Sequence, residues 1–189
     1  MAYAFYDPIS GMVGPSVLDP AGPGPGPTST GTTFGRMNFY GEELKAYDPN
    51  FGGVTLQYLK YSGTIAASTV CEITPSLASG TVVLSATAWA GTVKTGRPLA
   101  VALIAGTAGT WGWFVVQGNC IATCQGAPVA GDIVYWQAAG VVSPTLVAGK
   151  QVIGAVFATA PAVTVGTTVL SATQAVLTIN RPSAQTNIT

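Results

Sequence analysis

Short apolar runs separated by turn-forming residues make up the chain from residue 54 to about residue 180. The runs are rich in Val, Ile, Thr and aromatic residues and are bounded by Gly, Pro, Ser or Asn, a pattern typical of β-strands. No segment shows the 3.6-residue apolar period, capped at both ends, that indicates an amphipathic helix. We therefore predict eight strands: Val54–Tyr61, Ile65–Ile73, Thr81–Thr87, Leu99–Ala105, Trp111–Gln117, Ile133–Gln137, Gln151–Phe157 and Ala175–Asn180.

Several of these strands are apolar at consecutive positions, most clearly Trp111–Gln117. A strand that is apolar on both faces must be covered on both faces. This pattern predicts an all-β fold, a small sandwich or barrel, over residues 54–180. The polar residues 181–189 are predicted to form a C-terminal tail.

Residues 1–53 have a different texture, because Gly and Pro alternate from Gly22 to Pro27. Proline lacks an amide hydrogen and disfavours a helix before it, so this segment is predicted to be an extended arm. Within it, only Asn38–Ala46 is predicted to form a short helical turn, with Glu42 and Lys45 at i,i+3 spacing.

The arm contains eight of the 17 aromatic residues, and an extended segment cannot bury them around a core of its own. We therefore predict that the arm contacts a surface outside its own domain, either that of a neighbouring subunit or that of a larger assembly in which the protein is located. The alternative is that it adds edge strands to the β-domain. The predicted contact residues are Tyr3, Phe5, Tyr6, Phe34, Phe39 and Tyr40.

Charged residues are few, with 7 basic and 7 acidic side chains in 189 residues and no net charge. An ordinary globular protein carries about 25% charged residues, against 7% here. With so few charges, the surface of a folded monomer would be unusually apolar. We therefore predict a closed homo-oligomer, with a trimer as the first interpretation and a dimer as the alternative. Without a basic excess we expect no binding to nucleic acid or to an anionic membrane.

Catalytic chemistry has few candidates, since the chain contains no histidine. Ser-His-Asp and Cys-His mechanisms are thereby excluded. Glu42 and Glu43 are adjacent and would not face one another across a substrate, whereas Asp132 follows Gly131 in an ordinary turn before a strand. We predict a protein that is not an enzyme; a hydrolase that uses these acids or a Ser-Lys dyad is the catalytic alternative.

Cys71, Cys120 and Cys124 are the three thiols. Without histidine they cannot complete the usual zinc sets, so neither a metal site nor a cofactor is predicted. Reduced, buried thiols are the first interpretation, and a local bridge between Cys120 and Cys124 on a tight turn is the second.

The 34 residues from Pro98 to Gly131 carry no charge. A membrane-spanning helix of this length would be rich in Leu and Ile, whereas this stretch is rich in Gly and Thr, so buried strands are predicted. Trp111, Trp113 and Phe114 could stack on bases or sugars, but no Arg or Lys surrounds them. We interpret these three residues as core or subunit-interface anchors.

The segment from Gly106 to Gly118, with its Gly-rich turn and Trp111-Gly112-Trp113 strand, resembles the capsid decoration (cement) proteins of tailed bacteriophages. Ala130-Gly131-Asp132 and Val152-Ile153-Gly154-Ala155-Val156 resemble two further elements of that family in the same order. The resemblance extends over about residues 80–179 and does not include the arm. It implies a structural protein without catalytic residues, located in the virion on the capsid exterior.

The resemblance further implies that the protein is made in the host bacterial cytoplasm and that its partners are the major capsid protein and further copies of itself. The N-terminus has no signal peptide pattern, which agrees with that location. The alternative function is a receptor- or glycan-binding module of a phage tail or fibre. Such a module would be favoured by aromatic side chains exposed beside Asn, Asp or Gln.

Overall fold

Thirteen strands and their connections make up the part of the chain that the computed structural model describes, which is residues 4–5, 41–78, 81–91 and 95–186. The all-β prediction is therefore confirmed. The strands are β1 (Ala4–Phe5), β2 (Glu43–Asp48), β3 (Gly52–Tyr61), β4 (Val70–Ala78), β5 (Thr81–Ala88), β6 (Leu99–Ala102), β7 (Trp111–Thr123), β8 (Ile133–Ala138), β9 (Val141–Ser143), β10 (Gln151–Phe157), β11 (Thr164–Val165), β12 (Thr168–Val169) and β13 (Gln174–Ala184).

Five of these strands close into a small barrel in the order β3-β5-β4-β6-β7. The ring closes because β3 also pairs antiparallel with β7, with Tyr58 opposite Trp113 and Lys60 opposite Trp111. Every neighbouring pair in the ring is antiparallel except β3 and β5. Closure leaves these strands with no free edge along their paired segments.

The barrel interior is filled by alternate residues of the five strands, as the two-residue period of a strand requires. Leu59 and Tyr61 come from β3, and Phe114 and Val116 come from β7. Small residues on the facing strands make room for these large side chains. The buried cluster is Leu59, Tyr61, Ile65, Cys71, Ile73, Ala86, Ala100, Ala102, Phe114 and Val116.

An open sheet extends from the barrel, because β3 and β7 are longer than the ring requires. The first half of β3 pairs with β2, which in turn pairs with β1. The second half of β7 pairs with β13, followed by β10, β8 and β9. The larger core cluster lies on the side of β3 and β7 that faces away from the barrel interior, and it includes Tyr58, Trp113, Phe157 and Leu177.

A bulge in β7 joins the barrel to the open sheet. Thr55 lies opposite Gln117 but Leu56 lies opposite Val115, so β7 has one extra residue at this point. Gly118 follows with φ +105°, and a β-carbon there would lie 2.6 Å from the carbonyl oxygen of Gly53. The bulge and this glycine let one strand turn from the barrel wall into a flatter sheet.

The prediction of a helical turn over Asn38–Ala46 is wrong for its described part, since Glu43–Asp48 is strand β2. Exposed and buried positions alternate along this segment, and its backbone pairs with β3 from Asp48 opposite Gly52 to Glu43 opposite Gln57. Tertiary pairing therefore outweighs the weak local helical preference of Glu42 and Lys45. Residues 38–40 lie outside the described residues.

The structure also changes the ends of three predicted segments. Residues 43–48 and 52–53 of the predicted arm belong to the sheet, and Phe51 in the turn between them lies in the core. The strand predicted to begin at Ile65 begins at Val70, because Ser68 adopts a left-handed φ of 64°. The strand predicted to end at Asn180 continues to Ala184, so the first four residues of the predicted tail belong to β13, where Ser183 and Ala184 pair with β10.

Candidate interaction surface

The aromatic residues singled out in the sequence lie inside the fold. Trp113 and Phe114 have no exposed surface, and Trp111 is 6% exposed. On the outside of the barrel wall, Tyr58 contacts Trp113 with ring centroids 5.1 Å apart and Trp111 with centroids 5.7 Å apart. Phe114 points to the other side and packs on Tyr61 in the barrel interior, with centroids 4.9 Å apart. These three side chains do not form an exposed platform for a sugar or a base.

The glycines of the Gly106–Gly118 segment are explained by packing. The ring of Tyr61 lies between Gly106 and Gly112, whose added β-carbons would come within 2.6 Å and 3.1 Å of it. The hydroxyl of Tyr61 donates a hydrogen bond of 2.8 Å to the carbonyl oxygen of Ile104, and burial raises the pKa of this phenol. The glycines of this segment therefore make room for one aromatic ring at the end of the barrel.

All three cysteines are free and buried, so Cys120 and Cys124 are not bridged. Burial raises the pKa of the Cys71 and Cys120 thiols well above the ordinary value, and it raises that of Cys124. Such thiols are protonated at neutral pH and unreactive. Among the described residues, no group of three or more His, Cys, Asp or Glu side chains could hold a metal ion.

Two acidic residues, Asp132 and Asp48, accept hydrogen bonds from backbone amides in turns. Asp132 accepts a hydrogen bond of 2.9 Å from the backbone amide of Val129, which closes a turn. Asp48 is buried and accepts from the amides of Asn50 at 2.8 Å and Phe51 at 3.2 Å. These two carboxylates stabilise turns before strands, as the sequence interpretation proposed for Asp132.

Glu43 is paired with Arg181, a residue that the sequence analysis had assigned to the tail. The guanidinium donates two hydrogen bonds to the carboxylate, of 2.9 Å and 2.7 Å. The hydrogen bond from Arg181 lowers the pKa of the Glu43 carboxyl. Arg181 has a left-handed φ of 45°, so its backbone is in a region that side chains other than Gly rarely adopt.

The ion pair lies at the rim of an apolar cleft of about 370 Å³. Ile73, Leu84 and Val116, which belong to or pack against the barrel core, form part of its wall. The cleft therefore lies at the mouth of the barrel, where the barrel meets the open sheet. Gly41, the first residue described after residue 5, lies against Leu84 at this mouth.

Beside the cleft, one face of the open sheet is exposed to solvent. One row of paired residues crosses β2, β3, β7 and β13, and a second row crosses β7, β13, β10 and β8. We call this surface the outer face; its eight side chains are exposed or half-buried. They are Lys45, Thr55, Gln117 and Asn180 in the first row, and Asn119, Thr178, Val156 and Ile133 in the second.

The outer face carries one charged residue, Lys45, among eight. Its centre is made of amide and hydroxyl groups, such as the Thr178 hydroxyl that donates a hydrogen bond of 2.7 Å to the Asn119 side chain. At one end Ile133 and Val156 lie side by side, 45% and 43% exposed. Two shallow depressions cross this surface, one beside Gln117 and one beside Asn180.

Sequence reasoning did not find the outer face, because its residues come from six strands and adjoin only through pairing. The signal that was available is the two-residue alternation, which places polar residues on one side of β2 and β13. The predicted contact residues Tyr3, Tyr6, Phe34, Phe39 and Tyr40 lie outside the described residues. Phe5 lies in β1, where its backbone pairs with Ala46.

No helix in the described part of the chain is long and apolar enough to cross a membrane. The charge-free stretch from Pro98 to Gly131 instead contributes β6 and β7. This observation agrees with the interpretation of that stretch as buried strands.

No family model and no curated protein matches this chain. Among solved structures, the chain is similar to one described as head fiber gp8.5 N base in bacteriophage phi29, with a TM-score of 0.45 and 11% sequence identity. That match covers 68% of this chain and 95% of the other. The function of this chain is therefore inferred from its own residues.

Proposed function

We propose that this protein is a structural component of a phage virion, which binds the outside of an assembled capsid and stabilises the shell. The observation that carries the proposal is the outer face, a surface six strands wide with one charge among eight side chains. Adjacent strands are about 4.8 Å apart, so the surface is about 24 Å across. The resemblance of residues 80–179 to phage decoration proteins supports the same function.

Such a surface suits permanent coverage by another protein. A charge must be paired when it is removed from water, whereas an amide or hydroxyl needs only a hydrogen-bond partner. Gln117, Asn119, Thr178 and Asn180 can each donate and accept hydrogen bonds, and Ile133 and Val156 supply apolar contact. We therefore assign the capsid contact to the outer face.

Stabilisation follows from selective binding. A protein that binds the assembled shell but not its separate subunits lowers the free energy of the assembled state. Many copies on a symmetric lattice would add their contributions, and an oligomer that contacts several sites at once gains affinity from the higher effective concentration. The mechanism requires a rigid binding surface and no catalytic group.

Sedimentation with undecorated capsids of the same phage tests the proposal. The unmodified protein is expected to sediment with the capsids and to raise the temperature at which they release their DNA. Lysine at both Gln117 and Thr178 should weaken binding at least tenfold, because two unpaired charges would have to be desolvated in the contact. Ala108→Lys and Ala172→Lys add a charge at exposed sites outside the outer face and serve as matched controls.

The role of the arm is tested in the same assay. A chain that lacks residues 2–40 retains β2 to β13, whereas one that begins at Gly53 would lose β2 and destroy the sheet edge. If the arm is the contact, the shortened chain stays folded but no longer sediments with capsids.

Normal decoration by the Gln117 and Thr178 lysine variants would contradict the assignment to the outer face. Binding to host cells or glycans but not to capsids would favour the tail or fibre alternative.

A further inference from the structure

Lys45 differs from the other basic residues in the described part of the chain. Five of the seven basic residues lie there; two of the five form ion pairs with acidic side chains, and two lie over aromatic rings. Among the described residues, Lys45 has neither kind of contact. The four contacts of the others are Arg181 with Glu43, Arg97 with Glu72, Lys60 with Trp111 and Lys150 with Trp136.

The side chain of Lys45 lines a depression of about 450 Å³ in the outer face. Lys45 is exposed and lies opposite Thr55, which in turn lies opposite Gln117, and all three border the same depression. Two more of the lining residues are glycines, Gly53 and Gly118, and their lack of side chains keeps the space above the strands open. The depression is thus bordered by one charged and two neutral polar side chains.

The three polar side chains around this depression are hydrogen-bond donors. The Lys45 ammonium has three N–H donors and cannot accept, the Gln117 amide has two N–H donors, and the Thr55 hydroxyl has one O–H donor. Directly opposed side chains of adjacent strands have β-carbons about 4.5–5.5 Å apart, so the three form one short row. None of the described lining residues is acidic. An ionised carboxylate, which only accepts hydrogen bonds, is therefore the group that fits this set of donors.

The carboxylate of Glu43 does not fill this role. Glu43 lies two positions before Lys45, on the same side of β2. Its two carboxylate oxygens accept hydrogen bonds of 2.9 Å and 2.7 Å from the guanidinium of Arg181. The ion pair that Glu43 forms is therefore with Arg181 and not with Lys45. Lys45 presents its positive charge to whatever covers the outer face.

Covering the outer face would remove Lys45 from water together with its neutral neighbours. An amide or hydroxyl then needs only a hydrogen-bond partner, whereas a charged group must be paired with an opposite charge. A covering surface is therefore expected to place a negative group beside Lys45. This step rests on the proposed function, because it takes the outer face to be the contact surface.

We propose that an acidic side chain of the major capsid protein enters this depression and forms an ion pair with Lys45. Thr55 and Gln117 supply further hydrogen bonds to the same carboxylate. The capsid surface that faces this protein therefore carries an Asp or Glu at the contact. One carboxylate neutralises one ammonium, so an additional lysine at Gln117 would remain unpaired.

Substitution of Lys45 tests the ion pair by sedimentation with capsids. Lys45→Met removes the charge and should weaken binding at least tenfold, because it leaves the partner's carboxylate covered and unpaired. Lys45→Arg keeps the charge and should retain most of the binding. Lys60→Met removes a charge from a site outside the outer face and is the matched control. Thermal melts check that each variant is folded.

The same assay separates a failure of this inference from a failure of the proposed function. If the unmodified protein sediments with capsids and Lys45→Met sediments equally well, the inference is overturned, because the ammonium then stays in water at the rim of the contact. If the unmodified protein does not sediment with capsids, the proposed function fails, and this inference falls with it.

A carbodiimide joins an amine and a carboxylate that are in contact through an amide bond, and it can therefore identify the partner group. Decorated capsids and the protein alone are treated in parallel, and linked peptides are identified by mass spectrometry. The proposal predicts a link from Lys45 to an Asp or Glu of the major capsid protein in the decorated capsids. A link from Lys45 to Glu43 of the same chain can form in both samples and serves as the internal control.

The linked acidic residue then permits an exchange of charges. Lys45→Glu should abolish binding to unmodified capsids, and lysine in place of the linked acid should restore it. A link from Lys45 to a second copy of this chain would overturn the assignment to the capsid protein. So would the absence of any link from Lys45 to another chain in the decorated capsids.

Discussion

The ring of Tyr61 lies so close to the α-carbon of Gly106 that a β-carbon at that position would be 2.6 Å from the ring. Tyr61 is fully buried on β3, and Gly106 lies in the loop between β6 and β7, where it pairs with Ile65. This contact explains why a glycine begins the Gly106–Gly118 segment. It also connects a sequence motif to the closing of one end of the barrel.

Replacing Gly106 with alanine should therefore destabilise the protein by about 1–3 kcal/mol, because the new methyl group overlaps a ring that has no room to move. Gly63→Ala is the matched control, since a β-carbon there meets nothing within 4 Å. Denaturant unfolding of both variants measures the difference. In a Tyr61→Leu background the cost of Gly106→Ala should shrink, and an equal cost in both backgrounds would contradict the contact.

A second prediction concerns the buried face of the barrel wall. Trp113→Ala should cost about 3–5 kcal/mol, because it removes a large ring that is fully enclosed beside Tyr58. Tyr47→Ala, at a position 46% exposed, should cost far less. Equal stabilities of the Trp113→Ala variant and the unmodified protein would show that this side chain is accessible, and would restore the ligand-platform interpretation.

Short apolar runs bounded by turn-forming residues were sufficient to predict most of the strands in residues 54–180. This pattern worked because these strands carry buried apolar side chains, as at Leu59 and Tyr61 or at Phe114 and Val116. The same pattern failed for β2. This segment contains the charged residues Glu43 and Lys45, and its strand conformation depends on pairing with β3. The presence of Pro75 in strand β4 was not predicted either. Proline is compatible with this position because, beyond Glu72, β4 pairs only with β5.

Closure of the barrel could not be predicted from local patterns. It depends on Tyr58 meeting Trp113 and Val101 meeting Val115, which are pairings between distant segments. The same is true of the outer face, where Gln117 adjoins Thr55 and Asn180 only through register. A single residue of slip, such as the bulge near Val116, reverses which side chains face solvent.

A third prediction concerns the Glu43–Arg181 pair and pH. The hydrogen bond from Arg181 lowers the pKa of the Glu43 carboxyl in the folded protein, so the ionised form favours folding. That contribution is complete above the unfolded pKa of about 4.3 and is lost as the pH falls through the lower, folded value. Glu43→Gln should therefore lower the Tm at pH 7, and its difference from the unmodified protein should vanish in strong acid.

Thermal melts between pH 7 and pH 2, at low salt and at 1 M NaCl, measure this effect. The pair is solvent-exposed, so salt should also reduce the difference at pH 7. Arg181→Lys keeps the charge but loses the fork of two parallel hydrogen bonds, and an intermediate Tm is expected. A Tm difference that persists unchanged at the acid end would show that Glu43→Gln acts through something other than the ion pair.

The last prediction concerns the three thiols. Cys71 and Cys120 are fully buried, and burial raises their pKa, so the reactive thiolate is nearly absent at pH 8. Cys124 is also buried and its pKa is raised for the same reason. A small alkylating reagent should therefore label the folded protein very slowly at pH 8, and three groups per chain should appear rapidly in denaturant. Mass spectrometry counts the added groups, with omission of reductant as the control for a disulfide.

Rapid addition of one group to the folded protein would show that one of these cysteine side chains is open to solvent. A maximum of one group in denaturant without reductant would show that two of the cysteines are bridged.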